Sequence, residues 1–162
     1  MNPAGYTRAQ IALHWVIGVL IVLQLLFGDS MTEVWRGYVQ TGTASMTAMA
    51  WGHIVGGSLI LALVLWRLVL RLSRGAPGPA TGETPVQALI AKLVHVALYA
   101  LMLLMPLSGL VAWYGDVRTA GDVHELLKAV LWVFIGLHVL GAVYNHFVLK
   151  NGLIGRMLKP AG

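Results

Sequence analysis

Apolar residues recur in four long runs along this 162-residue chain, at roughly 9–28, 51–72, 89–113 and 124–149, and polar residues gather between them. Each run reaches or exceeds the ~20 residues that an α-helix needs to cross ~30 Å of hydrocarbon. The pattern predicts an all-α protein, an integral membrane four-helix bundle forming one domain over residues 1–162. The first run is too long for the apolar segment of a signal peptide, and the "GDSMTEVW" after it offers no small-x-small cleavage site, so it is expected as a span.

The connections are read from their polar and turn-forming residues. "RGAPGPATGETP" (74–85) is a Pro- and Gly-rich loop. "GDSMTEVWRGYVQTGTASM" (28–46) is long enough to hold a short interfacial helix. "YGDVRTAGD" (114–122) reads as a short loop with Asp122 as the cap of the last helix. Pro106 is expected to kink the third helix, with Ser108 and Gly109 nearby to absorb the freed backbone groups.

Composition decides the solvent. With 58% hydrophobic and 10% charged residues and a mean hydropathy of +0.78, the chain carries more apolar surface than a soluble domain of its size could hide. Lipid must therefore cover it. The absence of cysteine excludes thiolate-ligated clusters and the C-x-x-C-H attachment of c-type haem. Arg8, Arg67, Arg71, Arg74, Lys92, Lys150, Arg156 and Lys159 share one side of the bundle, against Arg36, Arg118 and Lys128 on the other. The positive-inside rule then puts both termini in the cytoplasm. Asp29, Glu33, Asp116, Asp122 and Glu125 fall on the outer side, and the net +5 is explained by topology without nucleic-acid binding. Trp35, Trp51 and Trp113 fit an outer aromatic belt, and Trp15 and Trp66 an inner one.

The chemistry lies in the histidines. Of six, five fall within or close to the spans: His14, His53, His95, His124 and His138. Intramembrane ionisable residues are rare and mark function by default. Neutral imidazole can also ligate haem iron without bringing a charge into lipid. At ~1.5 Å per residue, His14 lies roughly 7 Å to the cytoplasmic side of mid-helix, and His53 about 11 Å to the outer side of its own. His124 and His138 are fourteen residues apart, nearly four whole turns and about 21 Å of rise, so both leave the last helix on almost one face. The depths match in pairs, His138 with His14 and His124 with His53. The last helix becomes a shared post for an inner and an outer site. His95 is level with His14, and depth alone leaves the inner pair open among His14, His95 and His138. Gly18, Gly56, Gly57, Gly136 and Gly141 stand beside these histidines, giving room for a flat macrocycle or for ordinary small-residue helix packing.

"YTRAQIALHW" (6–15), "WGHIVGG" (51–57), "WRLVLRL" (66–72), "HVALYALMLLMPLSGLV" (95–111) and "GLHVLGAVYNHFVLK" (136–150) resemble the bacterial cytochrome b561 family. These are four-helix inner-membrane di-haem b proteins, related to the cytochrome b subunits of hydrogenases and formate dehydrogenases. The resemblance implies two b haems with bis-histidine ligation, His14 with His138 on the cytoplasmic side and His53 with His124 on the periplasmic side. It assigns His95 away from iron, towards quinone or proton handling. Some family members oxidise superoxide at the periplasmic face and pass the electron to ubiquinone.

The expected function is therefore electron transfer across the bacterial inner membrane, to or from the quinone pool. Arg8, Arg67 and Arg71 are candidate partners for haem propionates or, equally, positive-inside anchors. His95, Asn145, His146 and Lys150 are candidate quinone contacts, with ubiquinone the expected partner. A basic surface best steers an anionic substrate. The outer side carries three basic residues against five acidic ones, so charge lends superoxide no support, and a periplasmic redox protein is the other outer partner to consider. Two further readings compete: a haem-bearing anchor subunit of a partner oxidoreductase, and a non-redox four-helix transporter. The paired histidine depths argue against the transporter.

Overall fold

The structure, a computed structural model, describes residues 5–160. Helices α1 (Arg8–Phe27), α2 (Asp29–Thr41), α3 (Ala48–Arg74), α4 (Pro85–Gly115) and α5 (Arg118–Phe147) follow one another, and a 3₁₀ turn (Leu153–Met157) closes the chain. There are no strands among the described residues. Among the described residues, helices α1, α3, α4 and α5 are the four long and apolar enough to cross a membrane. The expected short helix in the first outer connection is α2.

Caps explain where the spans begin. Thr7 and Gln10 close a reciprocal capping box at α1, and Thr84 and Gln87 do the same at α4, where Pro85 occupies the first turn. These signals start α4 four residues before its apolar run, and Thr47 starts α3 three residues before its own. The loop expected at 114–122 shrinks accordingly. Asp116 ends α4 in the left-handed region at φ 52°, a conformation Asp tolerates, and α5 already begins at Arg118. Asp122 therefore sits inside α5 and caps nothing; Val117 is the flanking residue and gives no side-chain cap. Helix α4 continues through Pro106, whose missing N–H leaves the Met102 carbonyl without its ladder donor.

The interior is narrow. Leu13, Ile17, Ile21 and Leu25 form a buried stripe along α1 and meet Ile60 and Val64 of α3, Leu101 of α4 and Leu131 of α5. Large apolar side chains elsewhere are mostly exposed, among them Val55, Leu72 and Leu126, as expected where lipid is the solvent. Helix α1 packs along α3, α3 along α4, and α4 along α5, while α2 lies on α3. Extended contact ties α5 only to α4 and to the closing turn, so α5 faces α1 and α3 across gaps.

One end of the bundle is stitched together. Gln10 donates to the Gly75 carbonyl, Arg156 to that of Gly78, and the Trp15 indole to that of Met157. The start of α1, the end of α3 and the closing turn are thereby neighbours.

Candidate functional site

Two histidine pairs reach across the gaps that α5 leaves. At one depth His14 of α1 and His138 of α5 have ring centroids 6.0 Å apart at an interplanar angle of 68°. At the other, His53 of α3 and His124 of α5 are 6.1 Å apart at 78°. These are the pairs that depth matching and the family resemblance single out. His95 joins the first pair, its ring 5.1 Å from that of His138.

The outer pair is held unevenly. His124 Nδ1 lies 2.8 Å from the Met105 carbonyl and 3.2 Å from Ser108 Oγ. A carbonyl only accepts, so Nδ1 carries the proton and Nε2 keeps its lone pair. Gly109 makes room for this ring: a Cβ there would stand 3.1 Å from His124 Cε1. His53 has no such tether. Its Nδ1 is buried without a hydrogen-bond partner among the described residues.

Between these rings opens a cavity of about 480 Å³, lined by His53, His124, Gln24, Trp35, Trp113 and Lys128 among others. Helix α2 covers it. Trp35 packs with Trp113 and Tyr38, and its indole fills the space a side chain at Gly121 would need, 2.9 Å from the Cβ position. Lys128 lies 3.3 Å from Asp29 and 3.5 Å from Glu125. Arg36 also lines the cavity, with Asp122 and Glu125 opposing the two cations; Arg118 is exposed and does not line it.

The inner site is polar in a different way. Arg67 donates through Nε to Tyr99 Oη at 3.1 Å and through a second N–H to the Gln10 carbonyl. The Arg71 guanidinium stands 5.6 Å from the Tyr99 ring centre, within cation–π range. Tyr6 completes this small cleft. Neither arginine has a carboxylate partner among the described residues, leaving two positive charges open to an anion. Arg8 lies exposed in the first turn of α1, apart from the cluster. His95 donates from Nδ1 to the Ala91 carbonyl at 2.5 Å.

The remaining candidates are scattered. Asn145 donates to the Gly141 carbonyl at 3.0 Å and accepts from Asn151 at 2.5 Å, so its amide builds the end of α5. His146 is exposed and meets Phe147 edge-on at 4.7 Å. Lys150 occupies the left-handed region at φ 50° in the turn that follows. His146 lies eight residues beyond His138, the histidine that His95 meets, about 12 Å along α5.

The residues fit haem. Among the described residues no group of three or more metal-ligating side chains is placed to hold a bare ion, which needs three or four protein donors. Paired imidazoles instead suit an iron whose other four ligands come from a macrocycle. Metal–imidazole bonds of about 2 Å place two facing ring centres roughly 6 Å apart, the separation of both pairs. Gly18, Gly57, Gly136 and Gly141 each have nothing within 4 Å of a would-be Cβ, so open space adjoins the histidines. Gly56 is the exception, because the Gln24 side chain fills its space. Gln24, Gln10 and Tyr99 were not singled out by sequence reasoning; the available signal was a lone amide or phenol in an apolar run.

Comparison with known proteins agrees with this chemistry. A family model described as prokaryotic cytochrome b561 matches residues 5–160. The chain is 33% identical over 156 residues to a cytochrome b562 of Cereibacter sphaeroides, covering 96% of each. It is 24% identical to a probable superoxide oxidase CybB of Yersinia pestis, over 94% of this chain and 95% of that one. It is likewise 24% identical to cytochrome b561 homolog 1 of Escherichia coli, over 94% and 96%.

Proposed function

The chain belongs to the prokaryotic cytochrome b561 family of haem b-bearing membrane electron-transfer proteins, and we propose that it holds two haems and links an outer redox partner to the quinone pool of the bacterial inner membrane. The observation that carries this reading is the double pairing of imidazoles from one helix, His138 with His14 and His124 with His53, at two depths. His14 and His138 would hold the inner haem and His53 and His124 the outer one. Haem b, when bound between two imidazoles, supplies one-electron iron chemistry and leaves no open coordination position for dioxygen.

The protein's own groups set the conditions. The His124 Nδ1–H donated to Met105 orients that ring and raises the basicity of the ligating nitrogen. Arg67 and Arg71 offer an inner carboxylate two donors in a half-buried cleft, which favours the anchoring of propionates at that end. The buried stripe through Ile17, Ile21, Val64 and Leu131 excludes water between the two depths. Basic residues concentrated at the stitched end support a cytoplasmic position for it and for both termini. His95, with Nδ1 engaged and Nε2 free, is the inner imidazole suited to hold a proton for a quinone; ubiquinone is the expected one.

A second reading takes superoxide as the outer donor. The likeness to a probable superoxide oxidase and the cations Arg36 and Lys128 at the outer cavity favour it, while Asp122 and Glu125 oppose their field. A reduced-minus-oxidised visible spectrum of detergent-purified protein, with a haem-to-protein ratio, tests the main reading. Two low-spin b haems per chain are expected; none after expression in a haem-replete host would overturn it. Superoxide-driven reduction of a soluble ubiquinone analogue decides the second.

A further inference from the structure

The two outer histidines are positioned by different means. His124 is held through its ring, by Met105 and Ser108. His53 Nδ1 has nothing to hold it, so its orientation must come from elsewhere. The neighbouring amide that reaches it is Gln24, in the last turns of α1. Gln24 Nε2 lies 3.3 Å from the His53 carbonyl and 3.4 Å from that of Gly52.

Three features make this contact specific. Both carbonyls sit within α3, where the ladder already supplies one donor each, so Gln24 adds a second through the remaining lone pair. The seat exists only because residue 56 is glycine: a Cβ there would lie 1.9 Å from Gln24 Nε2. Finally, Gly28, one turn after Gln24, lies against the His53 ring, its Cβ position 3.5 Å from His53 Cε1, an ordinary contact distance. One end of α1 thus grips the backbone of residue 53 and flanks its ring. A polar side chain inside a span also has no water to fall back on, which favours keeping the contact made.

We propose that Gln24, seated in the notch at Gly56, is the positioning residue for His53, setting the plane of that imidazole at the outer haem. The inference rests on the outer haem's ligation by His53 and His124. It assigns the two ligands separate supports, a ring tether from α4 for one and a backbone clamp from α1 for the other.

The test uses the haem-loaded protein with Gln24→Leu, which removes the donor, and Gly56→Ala, which displaces an intact glutamine. Electron paramagnetic resonance reports the angle between the two imidazole planes at each ferric haem, and a redox titration separates the two midpoints. Both variants are expected to shift the outer signal, or to lose the outer haem, with the inner signal unchanged. Wild-type signals at both haems, or equal shifts at both, would overturn the proposal. Gln24→Asn, which keeps the amide but is one methylene too short to reach the Gly52 and His53 carbonyls from the same backbone position, provides a milder variant if the others do not accumulate; the same outer-only change is expected, and an unaltered outer signal counts against the clamp. Absence of a bis-histidine outer haem in the wild type would instead sink the reading of the site itself.

Discussion

The imidazoles of His53 and His124, carried by helices that make no extended contact, stand 6.1 Å apart with their planes at 78°. Side chains meet where backbones do not. Such an arrangement is costly for helices packed for their own sake, since the gap forfeits dispersion contacts that drive association in lipid. A group filling the gap and bonding both rings restores them.

Replacing a shared-post histidine should remove one haem at a time. His124→Ala is expected to lose the outer haem and keep the inner, and His138→Ala to do the reverse. His95→Ala should keep both, since the proposed ligand pairs do not include His95. Pyridine haemochrome assays against protein concentration measure each, and full occupancy in His124→Ala or His138→Ala would show that ligand to be misassigned.

The interplanar angles, 68° for His14 with His138 and 78° for His53 with His124, are both far from parallel. Ferric haems with near-perpendicular axial imidazoles give strongly anisotropic low-spin resonances. Two such signals are expected in the oxidised protein. Rhombic signals typical of parallel imidazoles would contradict the ring geometry.

Lys128 stands one turn beyond His124 on the same face of α5 and brings a cation to the outer cavity. A positive charge there favours the reduced, less positive iron. Lys128→Met should lower the outer midpoint by some tens of millivolts, on a scale where about 59 mV is tenfold for one electron. The inner midpoint, with His138 ten residues and about 15 Å further along α5, should move much less, because the Coulomb term falls with distance. An unchanged or raised outer midpoint would show that Lys128 does not set the field at that haem.

Gly109 is the surface on which the His124 ring rests, with a would-be Cβ 3.1 Å from Cε1 and 3.2 Å from Nδ1. Gly109→Val should displace the ring from Met105 and Ser108, at a cost of about 1–3 kcal/mol from overpacking. Reduced outer haem occupancy with an intact inner haem is the expected result. Gly37→Ala in α2, where nothing lies within 4 Å, should change neither haem.

Much of the architecture is legible in the sequence. A span must carry about 20 apolar residues, so the four runs declared four helices, and helical periodicity put His124 and His138 on one face of the last of them. Helix ends were less legible: Thr47 and Thr84 start their helices outside the apolar runs, and Asp122 was read as a cap although α5 begins at Arg118. Caps obey local hydrogen bonding and apolar runs obey lipid, so the two need not coincide.

Depth along a helix is a one-dimensional quantity, and the chain encodes it directly through the rise per residue. That was enough to match His53 with His124 and to put His14, His95 and His138 at one level, where the family resemblance chooses His14 for His138. Lateral neighbourhood is not encoded this way, because it depends on which helix lies beside which and on how each is turned. Only the tertiary structure joined Arg67 to Tyr99 and Gln10, left Arg8 outside, brought the His95 ring to that of His138, and laid Gln24 in the notch at Gly56. The sequence by itself determined the spans and the levels of the histidines; packing between helices decided the neighbours at each level, since those contacts are made across the bundle and leave no period along the chain.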